Sequence, residues 1–245
     1  MRVRGTTRAL VTGASSGIGR AIALGLAGRG AGVWAVGRKL ETLQEMAGDA
    51  SGLPGSVESR LCDVTDDDQV RGLASAVGAR LGRLDVLVHS AGVHSMGTID
   101  TASVDDLDWQ YRSNVRAPYL LTQLLLPILR ASEGDVVFIN SSAGVLAGAT
   151  VGQYAATKHA LRAIADSFRQ EVNASGIRVL SLYPGRTATP LQEMVHRAEG
   201  LDYRPDLLLQ PEDVASVVLA SLDLPRTAEV TDVSIRPFAR SRGRR

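Results

Sequence analysis

The chain has 245 residues, of which 44% are hydrophobic and 22% charged, so it contains ample apolar material for a folded core. Its formal net charge of +1 excludes a broad basic surface for nucleic acid, and no apolar run is long enough to cross a bilayer. A single cysteine, Cys62, excludes an internal disulfide, and no apolar signal region precedes the first predicted strand, so we expect a cytoplasmic protein.

Strands and helices are predicted to alternate along the whole chain. The strands fall near 8–12, 32–36, 57–61, 85–89, 135–139, 177–182 and 231–235. The run 136–139 is continuously apolar, as expected when helices cover both faces of a parallel sheet. Right-handed crossovers then give a Rossmann-type, doubly wound α/β sheet of about seven strands in a single domain, 1–245.

The first predicted strand runs into a glycine-rich loop with the spacing G-x-x-x-G-x-G, and a helical pattern follows at once. Glycines allow a tight turn and the close backbone approach that a pyrophosphate requires. A helix amino terminus adds free N–H groups and the positive end of its dipole. The pattern predicts a dinucleotide site formed by Gly13, Ser15, Ser16, Gly17, Ile18 and Gly19.

The end of the second strand indicates which dinucleotide is bound. An enzyme that uses NAD normally has an acid there for the ribose 2′-hydroxyl, whereas this chain has Gly37 followed by Arg38 and Lys39. A guanidinium matches a 2′-phosphate in paired hydrogen bonds, and the lysine adds a point charge. We therefore expect NADP(H), with two solvated charges at a helix start as the alternative.

A long helix predicted at 152–174 carries Tyr154 and Lys158 one turn apart. Of the 27 lysine and arginine residues, only Lys39 and Lys158 are lysines. The spacing places the phenol and the ammonium on one helix face, where the ammonium can lower the pKa of the tyrosine toward neutrality. Tyr154 is thus a candidate proton donor to a carbonyl, and a surface pair without function is the alternative.

The glycine spacing and the Tyr154/Lys158 pair together resemble the short-chain dehydrogenase/reductase family, and the resemblance extends over nearly the whole chain. The family serine lies 13 positions before the tyrosine, which is Ser141 and not Ser142. The resemblance implies a catalytic tetrad of Asn114, Ser141, Tyr154 and Lys158. It also implies that the cofactor is bound by Asp63, Val64, Ala91, Gly92, Asn114, Tyr154, Lys158, Pro184, Gly185, Thr187 and Thr189.

One departure from the family pattern follows the fourth strand, where the usual Asn-Asn is replaced by His89-Ser90. The change removes two side chains that usually stiffen the central sheet. We expect His89 to be a hydrogen-bonded histidine in the core or at the sheet end, and a catalytic base is the alternative.

The reaction that the resemblance implies is a reversible hydride transfer between nicotinamide C4, with pro-S stereochemistry, and a carbonyl carbon. Tyr154 would exchange a proton with the oxygen, Ser141 would orient that oxygen, and Lys158 would hold the ribose hydroxyls. Asn114 would link the lysine to solvent through water. A redox-sensing module that binds NADP without chemistry is the alternative, although such modules usually lack part of the tetrad.

The substrate pocket is predicted to include the segments 94–96 and 145–148 and a lid at about 190–205. The candidate substrate-binding residues are Met96, Ser141, Val145, Leu191 and Met194. The lid mixes apolar and basic residues, so the sequence allows either an apolar alcohol or an acidic, carrier-bound substrate. The candidate activities are a 3-oxoacyl-carrier reductase, a 3-hydroxy-acid dehydrogenase and a ketoreductase of secondary metabolism.

Two features bear on partners. Apolar stripes on helices predicted near 113–131 and 152–174 exceed what one sheet face needs, and the family resemblance assigns the surplus to a homotetramer or dimer interface, with core burial as the alternative. The arginine-rich segment 236–245 is predicted to be a flexible, solvated tail. We expect no nucleic-acid partner, no membrane and no metal.

Overall fold

The computed structural model describes residues 6–238. One parallel sheet lies at its centre. Its strands are β1 (Arg8–Thr12), β2 (Gly32–Gly37), β3 (Ser56–Leu61), β4 (Val86–His89), β5 (Asp135–Ile139), β6 (Arg178–Pro184) and β7 (Asp232–Ile235). The connecting α-helices are α1 (Gly17–Gly28), α2 (Leu40–Asp49), α3 (Asp67–Leu81), α4 (Val104–Tyr111), α5 (Ala117–Ser132), α6 (Gly152–Val172), α7 (Pro190–Ala198) and α8 (Pro211–Asp223).

The strand order is β3-β2-β1-β4-β5-β6-β7, and every neighbouring pair is parallel. The chain builds outward from β1 to β3 on one side and then returns to place β4 on the other side of β1. The order therefore reverses between β1 and β4, which is where open α/β sheets bind ligands. The predicted Rossmann-type, doubly wound sheet is confirmed, and each strand lies within two residues of its predicted bounds.

Helices cover both faces of the sheet. Alternate residues of a strand point to opposite faces, so Val11 packs in one apolar layer and its neighbour Leu10 in the other. The first layer includes buried residues of α1, α2 and α8, and the second includes those of α3, α5 and α6. Because both faces are covered, the strands can be apolar throughout.

The apolar stripes of α5 and α6 belong to the second of these layers. Leu121 and Leu125 of α5 and Leu161 and Phe168 of α6 are all buried within this one chain. The alternative of core burial therefore accounts for these residues. They supply no argument for an interface between subunits.

Helical structure begins earlier than the sequence pattern predicts, at Val104 and not near residue 113. Ser103 caps α4 by accepting a hydrogen bond from the backbone N–H of Asp105 at 3.1 Å. A π-helical turn, Arg112–Arg116, joins α4 to α5 without a break. The pattern missed α4 because that helix buries little apolar surface, with Gln110 as its buried residue.

Two further predictions concern membrane-spanning helices and the arginine-rich tail. Within residues 6–238, no helix combines the length and the apolar character needed to span a membrane. Most of the predicted tail, including Arg240, Arg242, Arg244 and Arg245, lies outside the described residues, and Arg236 is exposed just after β7.

Candidate active site

A cleft of about 390 Å³ opens at the carboxyl edge of the sheet, above the point where the strand order reverses. Loops that follow β1 to β6 contribute to its walls. Parallel strands end at the same edge, so segments far apart in sequence meet there. The predicted site residues in its lining are Gly13, Ser15, Ser16, Gly17, Ile18, Gly19, Arg38, Asp63, Val64, Ala91, Gly92, Ser141, Tyr154, Lys158, Pro184, Gly185, Thr187, Thr189 and Leu191.

Some predicted site residues lie elsewhere. Among the residues that the structure describes, the cleft lining does not include Lys39, Met96, Asn114, Val145 or Met194. Lys39 follows Arg38 in extended backbone, where consecutive side chains point to opposite sides. Val145 and Met194 are 49% and 58% exposed, and it is Leu191 and Val195 that turn one face of α7 toward the cleft.

The glycine loop has the shape of a pyrophosphate cradle. Gly13 has a φ of +65°, and a Cβ added there would lie 2.7 Å from the backbone of Ala91. A Cβ on Gly19 would overlap the carbonyl oxygen of Gly13. Ser16, the N-cap of α1, makes no side-chain capping bond, so the first N–H groups of α1 keep their capacity to bind an anion. These features fit a dinucleotide.

Arg38 directly follows β2 and lies at one end of this cradle. It is exposed, it lines the cleft, and it makes no ion pair or hydrogen bond with any residue in 6–238. Ser15 lines the same cleft and is close to the preceding residue, since a Cβ built on Gly37 would lie 3.5 Å from the Ser15 hydroxyl oxygen. A guanidinium without a partner at this cleft suits a phosphate group.

Asp63 follows β3 and forms the neighbouring wall. Its Oδ1 accepts hydrogen bonds from the backbone N–H and the hydroxyl of Thr65, at 2.9 and 2.8 Å. Cys62, which the sequence did not place in the site, also lines the cleft. Burial, reinforced by the charges of Asp63 and Asp66, raises the pKa of its thiol to about 11, so the thiol keeps its proton.

Tyr154 and Lys158 are both deep in the cleft, and their pKa values differ from the prediction. Burial raises the pKa of Tyr154 to about 12, against a smaller opposing effect of its hydrogen bond with Ser141. Burial lowers the pKa of Lys158 to about 8. The expected lowering of the tyrosine pKa is therefore wrong for this chain, because desolvation of the phenolate outweighs the stabilising contacts.

The ammonium of Lys158 is held at the end of β5. Its Nζ donates a hydrogen bond to the carbonyl oxygen of Ile139 at 3.1 Å. It lies 5.7 Å from the centroid of the Tyr154 ring. The lysine thus has a fixed position beside the tyrosine and faces the same cleft.

Asn114 lies in the π-helical turn, a local widening that is frequent at functional sites. Its side chain accepts from the N–H of Val93 and donates to the carbonyl of Val93, both at 2.9 Å, and donates to Thr157 at 3.0 Å. A Cβ on Gly92 would lie 3.3 Å from Asn114 Oδ1 and 3.8 Å from Lys158 Nζ. The structure thus brings the asparagine and the lysine together around Gly92.

Asn140 is a positioning residue that the sequence reasoning missed. Its Oδ1 accepts from the N–H of Ser141 at 2.9 Å, and its Nδ2 donates to the carbonyl oxygen of Lys158 at 3.1 Å. It is almost fully buried. One amide therefore ties the strand that carries the serine to the helix that carries the tyrosine and lysine. A polar residue at the end of an apolar strand was the available signal.

The loop after β4 is hydrogen-bonded to the end of β1 although the usual asparagines are absent. The hydroxyl of Thr12 accepts from the N–H groups of Ser90 and Ala91, at 3.1 and 3.2 Å. His89 is buried, with its Nε2 2.8 Å from the hydroxyl of Thr122, and burial lowers its pKa to about 3. It does not line the main cleft. Its surroundings match the predicted sheet-end histidine.

The remaining wall of the cleft includes His94 of the predicted pocket segment 94–96, Glu199 of the predicted lid, and Arg186, which the sequence did not single out. His94 packs against Tyr154 with ring centroids 4.3 Å apart. Arg186 and Glu199 form an ion pair with two hydrogen bonds of 2.7 Å. All of these side chains line the cleft, next to Leu191 and Val195. This wall is where a substrate would contact the protein.

A doubly wound parallel sheet with a glycine cradle at its switch point defines the protein as a dinucleotide-binding α/β protein. The tyrosine, lysine and serine in the same cleft narrow the class further. A family model described as short chain dehydrogenase matches residues 7–200. The chain belongs to the short-chain dehydrogenase family, and the predicted resemblance is confirmed.

Relatives and solved structures agree with this assignment. Over 230 residues the chain is 34% identical to the uncharacterized oxidoreductase SERP2049 of Staphylococcus epidermidis, covering 94% of this chain and 96% of that protein. It is 32% identical to the 3-oxoacyl-[acyl-carrier-protein] reductase FabG of Thermotoga maritima, covering 89% and 91%.

Two structures in complex with NADP are similar over nearly their whole length. A metagenomic short-chain oxidoreductase has a TM-score of 0.84 and 30% identity, covering 97% of this chain and 99% of that one. A short chain dehydrogenase from Burkholderia cenocepacia J2315 has a TM-score of 0.84 and 29% identity, covering 96% and 98%.

Proposed function

We propose that the protein is an NADP(H)-dependent oxidoreductase that interconverts a carbonyl compound and a secondary alcohol, with Tyr154 as the general acid and base. One observation carries the proposal. The buried Lys158 and the half-buried Tyr154 and Ser141 share a single cleft with the glycine cradle and with the unpaired Arg38.

The side chains have distinct roles in this reaction. A bound nicotinamide would supply the hydride for reduction or accept it for oxidation, at the pro-S position of C4. Tyr154 retains its proton at neutral pH, since its pKa is about 12, and a neutral phenol is the form that protonates a carbonyl oxygen. Ser141, which hydrogen-bonds the phenol, orients the same oxygen.

Lys158 and Asn114 act around the tyrosine. The lysine is held by the carbonyl of Ile139 and would also bind the ribose hydroxyls. Asn114 lies beside the lysine and would hold a water molecule that connects it to solvent. Positioned proton transfer of this kind contributes roughly two to four powers of ten to a rate.

The preference for NADP(H) rests on the end of β2. Gly37 takes the place of the acid that would bind a ribose 2′-hydroxyl, and Arg38 offers a free guanidinium at the cleft. The two structures most informative here were both obtained in complex with NADP. The cradle from Gly13 to Gly19 would hold the pyrophosphate, and Asp63 would lie beside the adenine.

Replacing Tyr154 with phenylalanine tests the proposal, because only the hydroxyl is removed. We expect Tyr154→Phe to fold and bind cofactor yet to lose at least about two powers of ten in turnover. The assay is a panel of ketones and alcohols followed by absorbance of the reduced nicotinamide. Tyr119→Phe is the matched control, since Tyr119 is 55% exposed.

Turnover by Tyr154→Phe within a few-fold of the parent would remove the tyrosine from its assigned role. Cofactor binding by the parent without turnover of any compound in the panel would favour the redox-sensing alternative. A parent that reduces 3-oxoacyl thioesters best would favour the activity named for the Thermotoga maritima relative.

We also propose that the protein forms a homo-oligomer, a dimer or tetramer. The support now comes from exposed aromatic residues on α4 and α5, since Trp109, Tyr111 and Tyr119 are 41%, 51% and 55% exposed. Exposed aromatic side chains are enriched at protein interfaces. Light scattering on the purified protein would give the mass of the assembly.

A further inference from the structure

His94 is a polar side chain in the cleft whose hydrogen-bonding groups are unused by the protein. It follows β4 and packs against the ring of Tyr154, with centroids 4.3 Å apart and planes at 53°. Its ring nitrogens make no hydrogen bond with any of the residues 6–238. They are not sealed off, because His94 lines the cleft and is only partly buried. A ligand in the cleft can therefore reach them.

The surroundings of His94 favour its neutral form. Partial burial lowers the pKa of the imidazole, the nearby Lys158 lowers it further, and Glu199 opposes them. A neutral imidazole presents one N–H donor and one nitrogen acceptor. It can bind a hydroxyl or a carbonyl, and it offers no charge to a carboxylate.

The arginines near this wall have carboxylate partners. Arg186 binds both oxygens of Glu199 at 2.7 Å. On and after α7, Arg197 lies 3.6 Å from Glu193, and Arg204 lies 3.1 Å from Asp206. Each carboxylate offsets the charge of its arginine, so these arginines attract an acidic, carrier-bound substrate less than unpaired ones would.

Given the proposed function, we propose that His94 is a substrate-binding residue and that the substrate is a neutral carbonyl compound carrying a second hydrogen-bonding group close to the reacting carbonyl. Tyr154 and Ser141 bind the reacting oxygen. His94, in contact with Tyr154, binds a hydroxyl or second carbonyl a few bonds away. Leu191 and Val195 contact the carbon chain.

The test compares two ketones of equal size, 1-hydroxy-2-butanone and 3-pentanone, which differ by a hydroxyl in place of a methyl group. The measured quantity is the ratio of their kcat/KM values in each variant with saturating NADPH. His94→Phe keeps an aromatic ring against Tyr154 and removes both nitrogens. We expect this ratio to fall about threefold to tenfold in His94→Phe, the effect of one neutral hydrogen bond.

Two further variants complete the comparison. His94→Gln retains a donor and an acceptor, so it should restore part of the ratio. His159→Gln is the matched control, because His159 is exposed on α6 and bonds the carbonyl of Ala155, and its ratio should equal that of the parent. A loss of folded protein lowers both kcat/KM values together and leaves the ratio unchanged. His94→Leu replaces His94→Phe if the latter does not fold.

The outcomes separate this inference from the function on which it rests. An unchanged ratio in His94→Phe, with both ketones reduced by the parent, would overturn the role of His94 and leave the oxidoreductase activity standing. Preference of the parent for acetoacetate over both neutral ketones would overturn the neutral substrate class. Failure of the parent to reduce any of the three, while it turns over another compound of the panel, would overturn the inferred substrate class alone. Failure on the whole panel would overturn the proposed function together with the inference.

Discussion

Removal of the Arg38 guanidinium should separate the two nicotinamide cofactors. Arg38 lines the same cleft as Ser15 and has no partner among the residues the structure describes, so no other described residue competes for its guanidinium. In Arg38→Ala we expect weak binding of NADPH and almost unchanged binding of NADH. The reason is that the 2′-phosphate of NADPH forms charged hydrogen bonds with a guanidinium, whereas the neutral 2′-hydroxyl of NADH does not need one.

The size of the effect follows from the exposure of the side chain. A hydrogen bond to a charged group contributes about 1.5–3 kcal/mol. Arg38 is exposed, so solvent screening favours the lower part of that range. A loss of about 1.4–2 kcal/mol corresponds to roughly tenfold to thirtyfold weaker binding of NADPH.

Titration of both cofactors, followed by nicotinamide fluorescence, measures this directly. Lys39→Ala is the matched control, since Lys39 is an adjacent cation that does not line the cleft. Adding Gly37→Asp to Arg38→Ala should move the preference further toward NADH, because the acid bonds a ribose hydroxyl and repels phosphate. The new Cβ would lie 3.3 Å from Leu43 and 3.5 Å from Ser15, so only a small shift is needed.

Equal affinities of the parent for the two cofactors would refute the reasoning. So would an Arg38→Ala loss of the same size for NADPH and NADH. A loss in Lys39→Ala as large as that in Arg38→Ala would show that the phosphate site is not where the cleft lining places it.

Three other predictions concern the tetrad and the sheet beneath it. Ser141→Ala should lower kcat roughly a hundredfold and Ser142→Ala far less; the reverse order would assign the wrong serine. Ketone reduction should decline as pH rises through about 8, where Lys158 loses its charge while Tyr154, with a pKa of about 12, keeps its proton; a rate that stays flat to pH 10 would contradict this. Burial lowers the pKa of His89 to about 3 in the folded chain. Below about pH 6.5 this histidine is therefore protonated in the unfolded chain and stays neutral in the folded chain. Stability should therefore fall between pH 6.5 and 3 by roughly 1 kcal/mol per pH unit. His89→Asn should lose less stability than the parent between pH 7 and pH 5, as measured by thermal melts near the two pH values. An equal loss of stability in both proteins would argue against the buried, neutral histidine.

The sequence alone was sufficient for the sheet and for the position of the cleft. Continuously apolar strands such as 136–139 occur where both faces of a strand are buried, and that requirement specifies a parallel sheet with helices on either side. The spacing of the glycines from Gly13 to Gly19 is also a local signal, although the contacts that leave no room for a side chain on Gly13 and Gly17 are made with Ala91 and Thr189. The carboxyl edge of the sheet then gathers Arg38, Tyr154 and Lys158 by topology.

Helix boundaries were less predictable where little apolar surface is buried. Most apolar residues of α4 are exposed, so its start at Val104 depends on a capping serine and on contacts made after folding. The π-helical turn that places Asn114 between Val93 and Thr157 has no signature in the spacing of apolar residues. The start of α4 and the π-helical turn both depend on contacts with residues that are distant in sequence.

Tertiary structure alone decided the electrostatics and the substrate wall. The i, i+4 spacing of Tyr154 and Lys158 suggests a lowered tyrosine pKa, but burial acts on both groups and reverses that expectation. Asn140, His94 and the Arg186–Glu199 pair act through contacts between separate segments. The desolvation of a charge and its pairing with other charges depend on its surroundings in three dimensions. A local pattern of residue types does not predict those surroundings.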